Sequence, residues 1–70
     1  MLRELRRFLV RDAMGHETMI SEVALFSIVG STEVMDGVPS YFTAFGSEVA
    51  AGDAAGEFWV GGELATIVSN

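Results

Sequence analysis

Ten carboxylates, four guanidiniums and one imidazole carry the acid–base chemistry open to this 70-residue chain. Nucleophilic catalysis needs a Ser, Cys or Thr beside a base that a third group orients. The only His is His16, Cys is absent, and none of Ser21, Ser27, Ser31, Ser40 or Ser47 stands in a G-x-S-x-G elbow. Metal chemistry has no better footing. His16 and Glu17 are adjacent rather than spaced along one helical face, and a second His is missing. The acids lack the spacing of an EF-hand loop. With no Lys there is no P-loop, and Gly46, Gly52 and Gly56 miss the dinucleotide fingerprint. A paired-carboxylate hydrolase needs two acids in a cleft that splits their pKa values, and seventy residues leave little room for one. The sequence therefore predicts a protein that is not an enzyme and takes no cofactor and no metal.

Charge is the informative signal. All the basic side chains, Arg3, Arg6, Arg7 and Arg11, lie in the first twelve residues beside Glu4 and Asp12. From Ala13 to Asn70 the chain carries eight acids and no cation, which brings the net charge to −6. An acidic surface solubilises a small protein, and the same surface can fill a groove that other proteins use to neutralise phosphates. Attraction of that kind is long-ranged, fast and salt-sensitive. The carboxylates expected at turns or strand edges, and so available to a basic partner, are Glu33, Asp36, Glu48, Asp53, Glu57 and Glu63. In size and composition the chain resembles phage-encoded DNA mimics such as anti-CRISPR proteins, without a motif that marks a family. The resemblance implies an inhibitor that occupies the basic site of a nucleic-acid-binding complex. Direct binding of nucleic acid through Arg3, Arg7 and Arg11 is disfavoured by the net charge, and docking on an anionic membrane by the same argument.

The elements that would position these groups follow from periodicity. On a helical wheel Met1, Leu2, Leu5, Phe8, Leu9 and Ala13 share one arc, with Arg3, Arg7 and Arg11 opposite. That pattern predicts an amphipathic helix over 1–14, stopped by Gly15. Residues 16–22 fit helix or strand. Val23–Val29 is β-rich and apolar on both alternating faces, as befits a central strand or a subunit interface. Thr32–Met35 returns as a short strand, Asp36-Gly37 reads as a turn, and Ser40–Phe45 as a further strand. Gly46–Gly56 reads as a loop. Glu57–Val60 and Glu63–Val68 flank Gly61-Gly62, a strong hairpin signal that pairs Val60 with Glu63, Trp59 with Leu64 and Phe58 with Ala65.

The expected fold is α+β: a single domain with the N-terminal helix on one face of an antiparallel sheet of three to five strands. Half the residues are hydrophobic, more than so small a body hides easily. A homodimer is the alternative use of that surface, with Val23, Leu25 and Trp59 as contact residues in a small structural or assembly protein. The apolar run Phe8–Val10 is too short for a signal peptide, and no charge-free run reaches a membrane span, so a cytoplasmic protein is expected.

Overall fold

The computed structural model describes residues 1–69. Six antiparallel strands, β1 (Leu2–Asp12), β2 (Glu17–Val29), β3 (Thr32–Thr43), β4 (Glu48–Ala51), β5 (Glu57–Val60) and β6 (Glu63–Ser69), close into a barrel in sequence order. Among the described residues there is no helix. The expectation of an α+β fold is thereby corrected: the segment 1–14 supplies the first barrel strand, and the sheet has six strands rather than three to five.

The helical pattern arises from a bulge. Glu4 stands opposite Val23 and Arg6 opposite Glu22, so Leu5 is an extra residue in β1. Before the bulge Arg3 lies on the inward face, opposite Ala24; after it Arg6, Phe8 and Val10 do. One inserted residue switches which positions face inward, and the spacing 2, 5, 8, 9 then imitates a helical face. Residues 16–22 likewise resolve to strand, as the start of β2. Asp36-Gly37 is no turn but the start of a second bulge. Leu25 pairs with Asp36 and Val23 with Ser40, so Gly37, Val38 and Pro39 face Ala24 alone. Within 46–56, Glu48–Ala51 forms β4.

The β5–β6 hairpin has the register that Gly61-Gly62 predicts. Both glycines have positive φ, 58° and 83°, as a primed two-residue turn demands. Gly52 is required for another reason. A Cβ there would lie 2.7 Å from Cβ of Glu57, where the Gly52 amide donates to the Glu57 carbonyl at 2.7 Å.

The barrel core is small. Phe8, Val10, Ile20, Val49, Phe58 and Ala65 are buried together, with Tyr41, Val60 and Ile67 packed against them. At its centre Phe58 meets Phe8 at 5.2 Å and Tyr41 at 4.8 Å between ring centroids, in the tilted and edge-on geometries aromatic quadrupoles favour.

The barrel accounts for only part of the strands. β4 pairs with β3 at Tyr41 and Phe42, and β6 pairs with β1 from Leu9 onward. Beyond these rungs β1, β2 and β3 continue together as a three-stranded sheet ending at the Val29–Thr32 pair. From Val23 to Val29 it projects about 20 Å, at 3.3–3.4 Å per residue. The molecule accordingly measures 48 × 23 × 20 Å, with a radius of gyration of 13.5 Å against about 11 Å for a compact chain of this length.

Candidate interaction surface

Three of the four Arg side chains in the sheet pair with carboxylates across strands, and the fourth pairs within its own strand. Arg6 donates from Nε to Oε1 of Glu22 at 2.5 Å, and Arg11 from Nε to Oε2 of Glu17 at 3.0 Å. Each of these pairs is a direct register partnership between β1 and β2. Arg7 holds Glu4 through two hydrogen bonds of 3.0 Å. Arg3 pairs with Glu33 and lays its guanidinium 4.6 Å above the ring of Phe26. All four cations thus engage carboxylates. Hydrogen bonds to Glu22 and Glu4 raise the pKa values of Arg6 and Arg7 above the usual range.

Arg6, Glu22 and Tyr41 sit where the barrel opens into the extension. Arg6 stacks 4.8 Å from the Phe8 ring centroid, and the Tyr41 hydroxyl donates to Oε2 of Glu22 at 3.3 Å. Burial, and then the neighbouring Glu22 carboxylate, push the Tyr41 phenol up. These groups close the mouth of the apolar core with a polar layer.

The two faces of the extension differ. Inward, Arg3 lies over Phe26 and reaches Glu33, so a polar layer covers the apolar ring. Outward lie Leu2, Val23, Leu25 and, toward the tip, Val29 and Val34, with Met19 farther down the same face of β2 on the barrel wall. Leu2 is 72% exposed and Val29 64%. The polar groups of the outward face satisfy one another: Glu4 with Arg7, and Asp36 as acceptor of the Ser27 hydroxyl. Among the described residues nothing covers the apolar positions. Each of these positions on β2 and β3 stands opposite a polar residue, Leu25 beside Asp36, Val34 beside Ser27 and Val29 beside Thr32, so the face is mixed, with its large apolar side chains left in solvent.

The six carboxylates singled out from the sequence are not gathered into one patch. Glu33 and Asp36 occupy opposite faces of the extension, and both already have partners. Glu48 and Glu63 begin strands at the end of the barrel far from the extension. Asp53 is exposed in the β4–β5 loop, while Glu57 is half-buried and accepts the Ala54 amide at 3.0 Å through Oε1. Of the contact residues, Leu25 is exposed and Val23 half-buried on the outward face of β2. Trp59 is exposed beside Leu64 on β5–β6, across the six-strand ring from β2, so it does not join them.

His16 stands in the β1–β2 turn, its Nδ1 3.3 Å from Oδ2 of Asp12. Among the described residues no group of three or more His, Asp or Glu could hold a metal ion. A shallow groove of about 420 Å³ runs beside β3 and β4 along Val38, Tyr41, Glu48 and Val49. Among the described residues no helix is long and apolar enough to cross a membrane. Sequence reasoning identified the doubly apolar character of 23–29 and placed Leu2 on an apolar arc, but as part of a helix, and it missed Val34, because the assigned helix and short strand hid their common sheet face. Comparison with protein-family models, curated proteins and solved structures returns no match.

Proposed function

We propose that this protein is a non-enzymatic interaction module whose working surface is the outward face of the β1–β2–β3 sheet. One observation carries this: a sheet that runs beyond its barrel keeps Leu2, Leu25, Val29 and Val34 exposed on one face, where the polar groups Glu4, Arg7, Ser27 and Asp36 are already paired with one another. Patches of this kind mark protein contacts, and their contribution to the barrel's own core is nil. A cytoplasmic setting accords with the absence of Cys.

A second interpretation rests on a separate observation. Because all four Arg side chains are paired with acids, the charge left free on the surface is negative. That supports an acidic inhibitor that covers the basic groove of a nucleic-acid-binding protein, through Glu48, Asp53 and Glu63 on the barrel body.

Photo-crosslinking in living cells separates the two. A photoreactive residue placed at Leu25, at Trp59 or at Glu48 reports which wall meets protein. Adducts concentrated at Leu25 are expected. Adducts concentrated at Glu48 support the acidic inhibitor instead, and uniform or negligible labelling at all three positions overturns both.

A further inference from the structure

Resting on the outward sheet face as the working surface, we infer that its occupant is a second copy of this chain, packed face to face about a two-fold axis. Four observations converge on this partner.

The first is area. The chain exposes 4759 Å², whereas a compact monomer of its mass exposes about 4,250 Å². Part of that excess, on the order of a few hundred Å², is the apolar surface of Leu2, Leu25, Val29 and Val34 on this face. With the polar rim that surrounds it, this approaches the ~800 Å² each partner contributes to a standard interface.

The second is charge. The β1–β2–β3 sheet from its tip down to Arg7, Glu22 and Ser40 holds three guanidiniums against Glu4, Glu22, Glu33 and Asp36. The rest of the chain holds Arg11 against six acids. Two copies carrying −6 each repel everywhere except at this nearly neutral sheet. A basic protein is drawn to the body instead, so the charge distribution selects a self-partner for the apolar face.

The third observation is what the sheet edges forbid. Extension of the sheet strand by strand needs a free, regular edge. The open edge of β3 carries the Gly37–Pro39 bulge, and Pro39 has no amide hydrogen to donate. The open edge of β1 carries the Leu5 bulge. Both irregularities blunt edge-to-edge growth and leave face packing. The fourth is the inward face, where Ile28 and Met35 are also exposed but the Arg3–Glu33 pair over Phe26 interrupts the apolar surface. An isologous contact uses the same patch on both copies and closes at two, with sheets about 10 Å apart.

Sedimentation equilibrium on the purified chain over a concentration series tests this. The expected result is a reversible monomer–dimer equilibrium, twice the 7.5 kDa chain mass at the upper end. Added salt should tighten it, because salt screens repulsion between the acidic bodies. Leu25→Glu should weaken the dimer at least about 100-fold. The circular dichroism of that variant should be unchanged, since Leu25 lies outside the core. Glu63→Gln, in the β5–β6 hairpin across the ring from β2, should leave the dimer intact or slightly tighter. A monomer at every concentration, a mass that grows beyond the dimer, or a dimer insensitive to Leu25→Glu overturns the inference. A monomer that still yields adducts with other proteins at Leu25 in cells refutes only the second copy and leaves the interaction face standing. Loss of both signals refutes the two together.

Discussion

In the barrel body the inward side chains Phe8, Val10 and Ile20 meet a facing wall that supplies Val49, Phe58 and Ala65. In the extension the same strands carry Phe26, Ile28 and Met35 on the corresponding face, and among the described residues no strand stands opposite them. The body is acidic outside and apolar inside, as a solvated domain should be. The extension is nearly charge-balanced and apolar on its exterior. Burial and exposure are therefore divided along the strands: the far halves of β1–β3 enclose the core, and the near halves leave large apolar side chains in solvent. Apolar area in the body stabilises the fold, whereas the outward apolar side chains of the extension contribute little to its core.

The sharpest way to break this division is to truncate one large side chain in each region. Phe58→Ala removes the ring that touches both Phe8 and Tyr41, a loss of about 3–5 kcal/mol for a buried aromatic. A core of this size supplies only ~3–5 kcal/mol in total, so the variant should be largely unfolded by circular dichroism at 25 °C. Leu25→Ala, measured by urea denaturation at dilutions where the chain is monomeric, should stay within about 0.5 kcal/mol of the parent. Comparable losses at both positions would mean that the extension is part of the cooperative core.

The same division explains what the sequence makes legible. The β5–β6 hairpin can be read in register because Gly61-Gly62 satisfies a local backbone requirement and no bulge intervenes. Val23–Val29 can be read as a strand with two apolar faces, and its place between β1 and β3 agrees. The N-terminal strand cannot be read, because the Leu5 bulge converts alternation into an apparent helical period and the Arg residues fall at helical spacing by coincidence. The partners of Arg3, Arg6 and Arg11, namely Glu33, Glu22 and Glu17, lie on other strands that only the fold brings alongside, while Arg7 pairs with Glu4 in its own strand. The carboxylates near turns can be named in advance, but whether they share a face depends on long-range register. Glu33 and Asp36 differ by three positions in one strand and so point to opposite sides.

A smaller effect probes how tightly the body is closed at its loops. Gly52→Ala places a methyl group 2.7 Å from the Glu57 Cβ and 3.3 Å from the Leu64 side chain. Backbone must shift to accept it, costing about 1–3 kcal/mol as overpacking does. Urea midpoints should fall accordingly, with amide exchange accelerated at Gly52 and Glu57 and unchanged in the extension between Val23 and Val29. Faster exchange in the extension instead would show that the β4–β5 loop and the projecting sheet open as one unit.

The smallest effect is acid-dependent and confined to the end of the body farthest from the extension. Asp12 ends β1, and its Oδ1 accepts the amides of His16 and Met14, both at 2.9 Å. The His16 backbone bond, foremost, and then the Met14 bond favour the ionised carboxylate and hold its pKa below the ordinary aspartate value. A carboxyl group whose pKa is depressed by folding contributes stability that is fully present above its unfolded pKa. That contribution disappears as pH falls through the lower folded value. Amide exchange at Met14 and His16, corrected for intrinsic rates, should therefore be flat from neutrality down to the usual aspartate range near ~4 and rise below it. Asp12→Asn keeps a carbonyl oxygen to accept both amides but cannot ionise, so its protection should be weaker at neutral pH and lack the acid step. Val29 and Thr32, at the opposite tip, should show no step at this pH. A simultaneous acid transition at both ends would mean that the turn and the extension report one global unfolding, and the separation of body from surface would fail.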